Sequence, residues 1–142
     1  MIHKVNKGAR ATLDAIFSDM KPFTSKKIGK PGGTYQPLSA ERLSENLYSM
    51  AHYVEMNGDL CADPDMEFYR DPTTGDWYPV SITQSFVGVY RQAIELDGNQ
   101  RPYKHRPGLC RELASFAGMW CSNLRVQQSD YFEQVSAELR KG

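Results

Sequence analysis

Leu47-Tyr48-Ser49-Met50-Ala51-His52-Tyr53-Val54-Glu55-Met56-Asn57-Gly58-Asp59-Leu60 is the stretch that decides the fold. An apolar and aromatic run, Leu47–Met56, meets Asn57-Gly58. Asn-Gly supplies the positive φ values of a tight hairpin turn, so the chain is expected to reverse there. Downstream, Asp65–Asp71 alternates Met66 and Phe68 against Glu67 and Tyr69, and Pro72-Thr73-Thr74-Gly75-Asp76 predicts a second hairpin turn. Trp77–Thr83 alternates again, with Pro79 inside it. Proline has no N–H for a ladder, so Pro79 marks an edge or a bulge. Phe86–Leu96, closed by Asp97-Gly98-Asn99, is a fourth run. Four runs joined by turns predict a four-stranded antiparallel meander.

Helical patterns flank these strands. Leu13, Ile16, Phe17 and Met20 recur at helical spacing within 7–21, ahead of Pro22. Residues 107–128 open on Pro107 and carry an apolar stripe of Leu109, Leu113, Phe116, Ala117, Trp120 and Leu124. Tyr131–Arg140 reads as a shorter helix. Residues 22–39 concentrate proline, glycine and the lysines Lys26, Lys27 and Lys30, and read as a flexible basic arm, with Ser39–Arg42 opening a helical turn. The expectation is an α+β fold with the helices on one face of the meander. At 142 residues the chain is one domain, 1–142.

The 17 basic and 17 acidic side chains cancel to a formal net charge of zero, which argues against a strongly basic nucleic-acid binder. The charges are segregated, however. Residues 1–45 carry +4, residues 46–76 carry −6 and residues 77–142 carry +2. Cys61, Cys110 and Cys121 form no C-x-x-C motif. Cys110 and Cys121 lie about 16 Å apart along a helix, too far to bond. Free thiols, no leader-like apolar run and no membrane-length apolar stretch make a cytoplasmic protein the expectation.

The acidic centre holds the residues most able to do chemistry. Glu55, Asp59, Asp63, Asp65 and Glu67, with the aromatic Tyr69 and Trp77, form a candidate acidic and aromatic binding surface. Asp59, Asp63 and Asp65 also suit turns, where Asp hydrogen-bonds its own backbone. His52, Glu55 and Asp59 are the alternative, a metal-dependent catalytic site. Strand geometry opposes it by sending His52 and Glu55 to opposite faces. Lys26, Lys27 and Lys30, with Lys104 and Arg106, offer a second alternative, weak salt-sensitive nucleic-acid binding. Gly29-Lys30-Pro31-Gly32-Gly33-Thr34 lacks the spacing of a phosphate loop. No nucleophile motif and no cofactor motif is present.

The string His52-Tyr53-Val54-Glu55-Met56-Asn57-Gly58-Asp59-Leu60, followed by Asp63-Pro64-Asp65-Met66-Glu67-Phe68, resembles a bacterial family with an HY-x-E-x-NGD-L-x-x-DP signature and no assigned activity. The likeness extends through Trp77-Tyr78-Pro79-Val80 and Arg111–Leu124, covering roughly residues 46–126. Met56 departs from the glutamine usual there, and Gln84-Ser85 from the usual Asn-Asp. The resemblance implies a small accessory protein of plasmids, phages and other mobile elements. It also implies binding of a host protein rather than catalysis, as in anti-CRISPR inhibitors that engage a Cas subunit.

Overall fold

The computed structural model describes residues 2–141. In chain order these form α1 (Lys7–Phe17), β1 (Thr24–Ile28), β2 (Leu38–Arg42), β3 (Leu47–Met56), β4 (Asp59–Arg70), β5 (Trp77–Gln84), a 3₁₀ turn over Ser85–Val87, β6 (Val89–Gln92), β7 (Ile94–Leu96), β8 (Pro102–His105), α2 (Pro107–Gln127) and α3 (Ser129–Lys141). Strands β1 to β6 make one antiparallel sheet in sequential order, and β7 and β8 make a separate hairpin.

The α+β class and the antiparallel meander match the sequence reading, but the sheet has six strands where four were expected. Two strands come from 22–42, read as a basic arm and a helical turn. Thr24–Ile28 pairs with Leu38–Arg42, and Leu38–Arg42 pairs with β3. Leu38 and Ala40 are buried and Ser39 and Glu41 point away, a period of two that is too short to stand out without its partner strands. The glycines and prolines cluster in the connection, 29–37, where Gly33 N–H donates to Lys30 O at 3.1 Å and Gly32 has φ +73°. Pro-Gly at the centre of a four-residue turn is the pairing that a positive third position selects. The fourth run is split as well: Gly88, at φ +66°, ends the 3₁₀ turn, and after Ala93 the chain leaves the sheet to pair β7 with β8.

The turn at 57–58 is as expected, with Asn57 at φ +50°, Gly58 at φ +86° and Met56 facing Asp59. Strand β4 therefore begins at Asp59, and Asp63-Pro64-Asp65 lies within a strand, not a turn. The register shift between Ala51 and Tyr53 sets His52 against that proline-containing segment. A bulge absorbs a residue without an N–H. Pro79 sits at the other irregularity: Glu67 faces Ser81 and Phe68 faces Pro79, leaving Val80 extra.

The helices cover one face of the sheet. Asn6 caps α1 by accepting from Ala9 N–H at 2.8 Å, and Leu13, Ile16 and Phe17 are buried. Trp77 is the hub. Its ring meets Phe17, Tyr48 and Phe68, and its Nε1 donates to Asp14 at 2.8 Å. Arg42 donates to the carbonyls of Met20 at 2.7 Å and Ser44 at 3.2 Å, tying the α1–β1 link to β2. Helix α2 lays Cys110, Leu113, Ala117, Trp120 and Leu124 on the core, and α3 adds Phe132.

Candidate functional site

Antiparallel pairing puts facing residues on one side of the sheet, so the register separates its two faces. The row Ala40–Met50–Met66–Ile82 is buried under the helices. The rows on either side of it point the other way. One runs Lys27–Ser39–Ala51–Asp65–Thr83–Tyr90, and the other runs Ser25–Glu41–Ser49–Glu67–Ser81–Gln92. Ala51 is the one aliphatic side chain in these two rows. An antiparallel sheet can leave one face to water, and this face is polar, with a floor of small side chains and three carboxylates, Glu41, Asp65 and Glu67. A shallow groove of about 230 Å³ crosses it, lined by Ser39, Glu41, Ser49, Ala51 and Tyr53 among others.

The electrostatics mark these groups as a cluster. Burial, then the charges of Glu67 and Glu41, push the Asp65 carboxyl up to about 6. Its Oδ1 is enclosed and has no hydrogen-bond partner. Desolvation raises Glu67 too. The Tyr53 hydroxyl is raised first by burial and then by Asp65 and Glu41, which places the ring in the same field. Among the described residues, no salt bridge or side-chain hydrogen bond involves Glu41, Glu55, Asp59, Asp63, Asp65 or Glu67. Lys26 and Arg91 are engaged elsewhere, with Asp19 at 2.9 Å and Glu112 at 2.6 Å, and Lys27, at the β1 end of the Asp65 row, makes no ion pair with these carboxylates.

The residues expected from the sequence are divided by this geometry. Asp65 and Glu67 share the open face. Alternation beyond the bulge brings Glu55 to the same side as Tyr53. Asp59 lies at the hairpin tip and Asp63 at the bulge, both outside the two rows. Trp77 and Tyr69 are 1% and 8% exposed and belong to the core. Trp77 lies under the helices against Phe17, whereas Tyr69, two residues along β4 from Glu67, is on the other face, where it lines a pocket with Ile2, Tyr78, Arg101 and Pro102. Glu41 was missed. It sits in the basic third of the sequence, and only the two-residue period of Leu38 and Ala40 could have revealed it. The alternative site does not assemble, since no group of three His, Cys, Asp or Glu among the described residues is arranged to hold a metal ion. His52 turns inward onto the Trp120 ring at 5.5 Å, and burial lowers its pKa. Of the arm lysines, Lys26 is committed to Asp19 and Tyr131, whereas Lys27 and Lys30 are unpaired among the described residues.

Fold and surface together define an α+β domain with three helices on one sheet face and an acidic, hydroxyl-lined opposite face. The chain belongs to the family described as a domain of unknown function (DUF6908), whose model matches residues 11–129. That span includes every strand, all of α2 and the last seven residues of α1. No curated protein and no solved structure matches the chain. No helix among the described residues is long and apolar enough to cross a membrane.

Proposed function

We propose that this protein acts by binding, without catalysis, and that the open sheet face is where it holds a partner protein through a basic surface. The observation that carries this reading is the set Glu41, Asp65 and Glu67, three carboxylates gathered from two strands and, among the described residues, without an ion pair. Two of them have pKa values raised by their surroundings. Carboxylates that only solvate a surface have no reason to be partly desolvated side by side. Carboxylates that meet a cationic partner gain when its charge arrives, because complementary potentials at contact favour the right partner over wrong ones. The resemblance to mobile-element proteins supplies the setting: an accessory protein that inhibits host defence, with a basic face of a CRISPR effector subunit as the partner.

The test is affinity capture from the native host with wild type and with the Glu41→Gln/Asp65→Asn/Glu67→Gln triple variant. The reading expects a nucleic-acid-processing or defence protein bound by the wild type. That binding should weaken at least about tenfold in the triple variant and fall steeply with salt. Equal capture by both proteins, or binding indifferent to salt, removes the open face from the function.

A further inference from the structure

We propose a second site, at the β1 edge of the sheet beside the α2–α3 corner, that takes a mononucleotide. The connection 29–37 folds against the α2–α3 corner and lines an open pocket of about 450 Å³. Small-molecule pockets run from roughly 300 to 1,000 Å³. The loop that forms its wall is pinned in place. Gln128 donates to Gln36 O at 3.3 Å at one end of the loop and packs on Gly29 at the other. Gly29 has φ +109°, which favours glycine, and a Cβ there would lie 2.8 Å from the Gln128 amide and push that side chain off the loop. The turn at Lys30–Gly33 closes the wall.

The lining carries two kinds of recognition. Lys27, Lys30 and Thr34 supply cationic and hydroxyl donors, and none of them has an ion-pair or side-chain partner among the described residues. Asp130 is the one carboxylate on the wall, so two lysines leave the rim net positive. Tyr35 lends an aromatic ring that is 46% exposed and open to stacking. Lysines and a hydroxyl suit a phosphate. A free aromatic face suits a planar base and is tolerant of which base it is. A ligand with both parts, of a size to fill the cavity, has the chemistry of a nucleoside monophosphate. The site meets the acidic face only at Lys27, and Lys30, Thr34 and Tyr35 belong to the loop alone, so nucleotide binding is tested independently of the partner binding proposed for that face.

Titration of the ¹⁵N-labelled full chain with AMP, CMP, GMP or UMP, each beside its nucleoside and inorganic phosphate, decides the matter. At least one nucleotide should saturably shift the amides of Gly29–Tyr35 and Gln128–Tyr131, binding at least about tenfold tighter than phosphate alone. Lys27→Gln with Lys30→Gln should cut nucleotide affinity about tenfold or more. Tyr35→Leu should bring the nucleotide down to the level of phosphate. These side chains are surface-lying, and unchanged amide positions elsewhere verify the fold of each variant. Absence of saturable shifts in the loop with all four nucleotides overturns the proposal. So does a nucleotide that binds no better than phosphate, which would mark a plain anion site.

Discussion

Replacing Asp65 with asparagine tests the physical basis of the open face. The carboxyl moves from its ordinary 3.8 to about 6, and burial is the largest cause. At 1.36 kcal/mol per pH unit that displacement corresponds to about 3 kcal/mol. The side chain is only half-buried and water screens part of the penalty, which leaves about 1–2 kcal/mol. The sign follows from proton binding. A carboxyl with a higher pKa folded than unfolded holds more protons in the folded chain between the two values. Its contribution to stability therefore falls as pH rises from about 4 to about 6 and stays at its least favourable above that. Asparagine keeps the shape and removes the charge. At pH 8 Asp65→Asn should therefore be more stable than wild type by about 1–2 kcal/mol, or about 3–8 °C in Tm for a chain of this length. Below about pH 4 both side chains are neutral and the difference should close. Urea midpoints of the two proteins across this range provide the measurement, and the difference between them isolates Asp65 from every other titrating group. A variant less stable than wild type at pH 8, or a gain that ignores pH, would refute the account of Asp65 as an uncompensated, desolvated charge.

Two further outcomes follow from the loop and the thiols. Gly29→Ala meets both a positive φ and the Gln128 amide at 2.8 Å, so it should cost about 1–3 kcal/mol in urea unfolding. Gln128→Ala in the same chain should recover the steric part and leave the φ part. Burial raises Cys110 and pushes Cys121 up to about 12, and both lie in the core, while Cys61 is half-exposed on β4. A thiol reagent at pH 8 should therefore label Cys61 alone in the native protein, and all three cysteines once urea is added.

What could be read from the sequence depended on whether a signal was local. Asn57-Gly58 and Gly75 carry their turn in their own backbone preferences, and α2 carries its face in a long apolar stripe, so all three were legible. Leu38–Arg42 could not be recognised as a strand by itself. Its four alternating residues acquire meaning only when β1 and β3 take up its hydrogen bonds, and Ser39-Ala40-Glu41-Arg42 alone suits a helical turn as well. The acidic surface was legible as composition, because the negative charge falls on one hairpin. Its members were not, because a bulge at His52 resets the alternation of faces and Glu41 arrives from a segment whose net charge is positive. The burial of Trp77 and Tyr69 was hidden for the complementary reason: what covers them is distant in sequence, α1 for Trp77 and, for Tyr69 on the other face, Ile2, Arg101 and Pro102.

The net charge of zero sharpens the case for the open face. In a chain with equal numbers of acids and bases, every carboxylate could in principle find a partner. The cations here are used to fasten layers: Arg10 and Lys4 hold Asp76, Arg70 reaches Asp14 at 3.9 Å, and Arg42 gathers backbone carbonyls. The sheet's acids are left mainly with serines, and Lys27 at the β1 end of their face makes no ion pair with them. Such a surface generates no long-range attraction, because the whole chain is neutral and salt limits electrostatic reach to about 8 Å at physiological ionic strength. It acts at contact. A partner must bring its cations onto the face, and association should therefore respond to the Glu41, Asp65 and Glu67 substitutions far more than to charge changes elsewhere on the molecule. Reversing Glu133 or Glu138 on α3 alters net charge as much as reversing Glu67. If those reversals weakened partner binding equally, net charge and not the built face would govern recognition, and the sheet would lose its claim to the site.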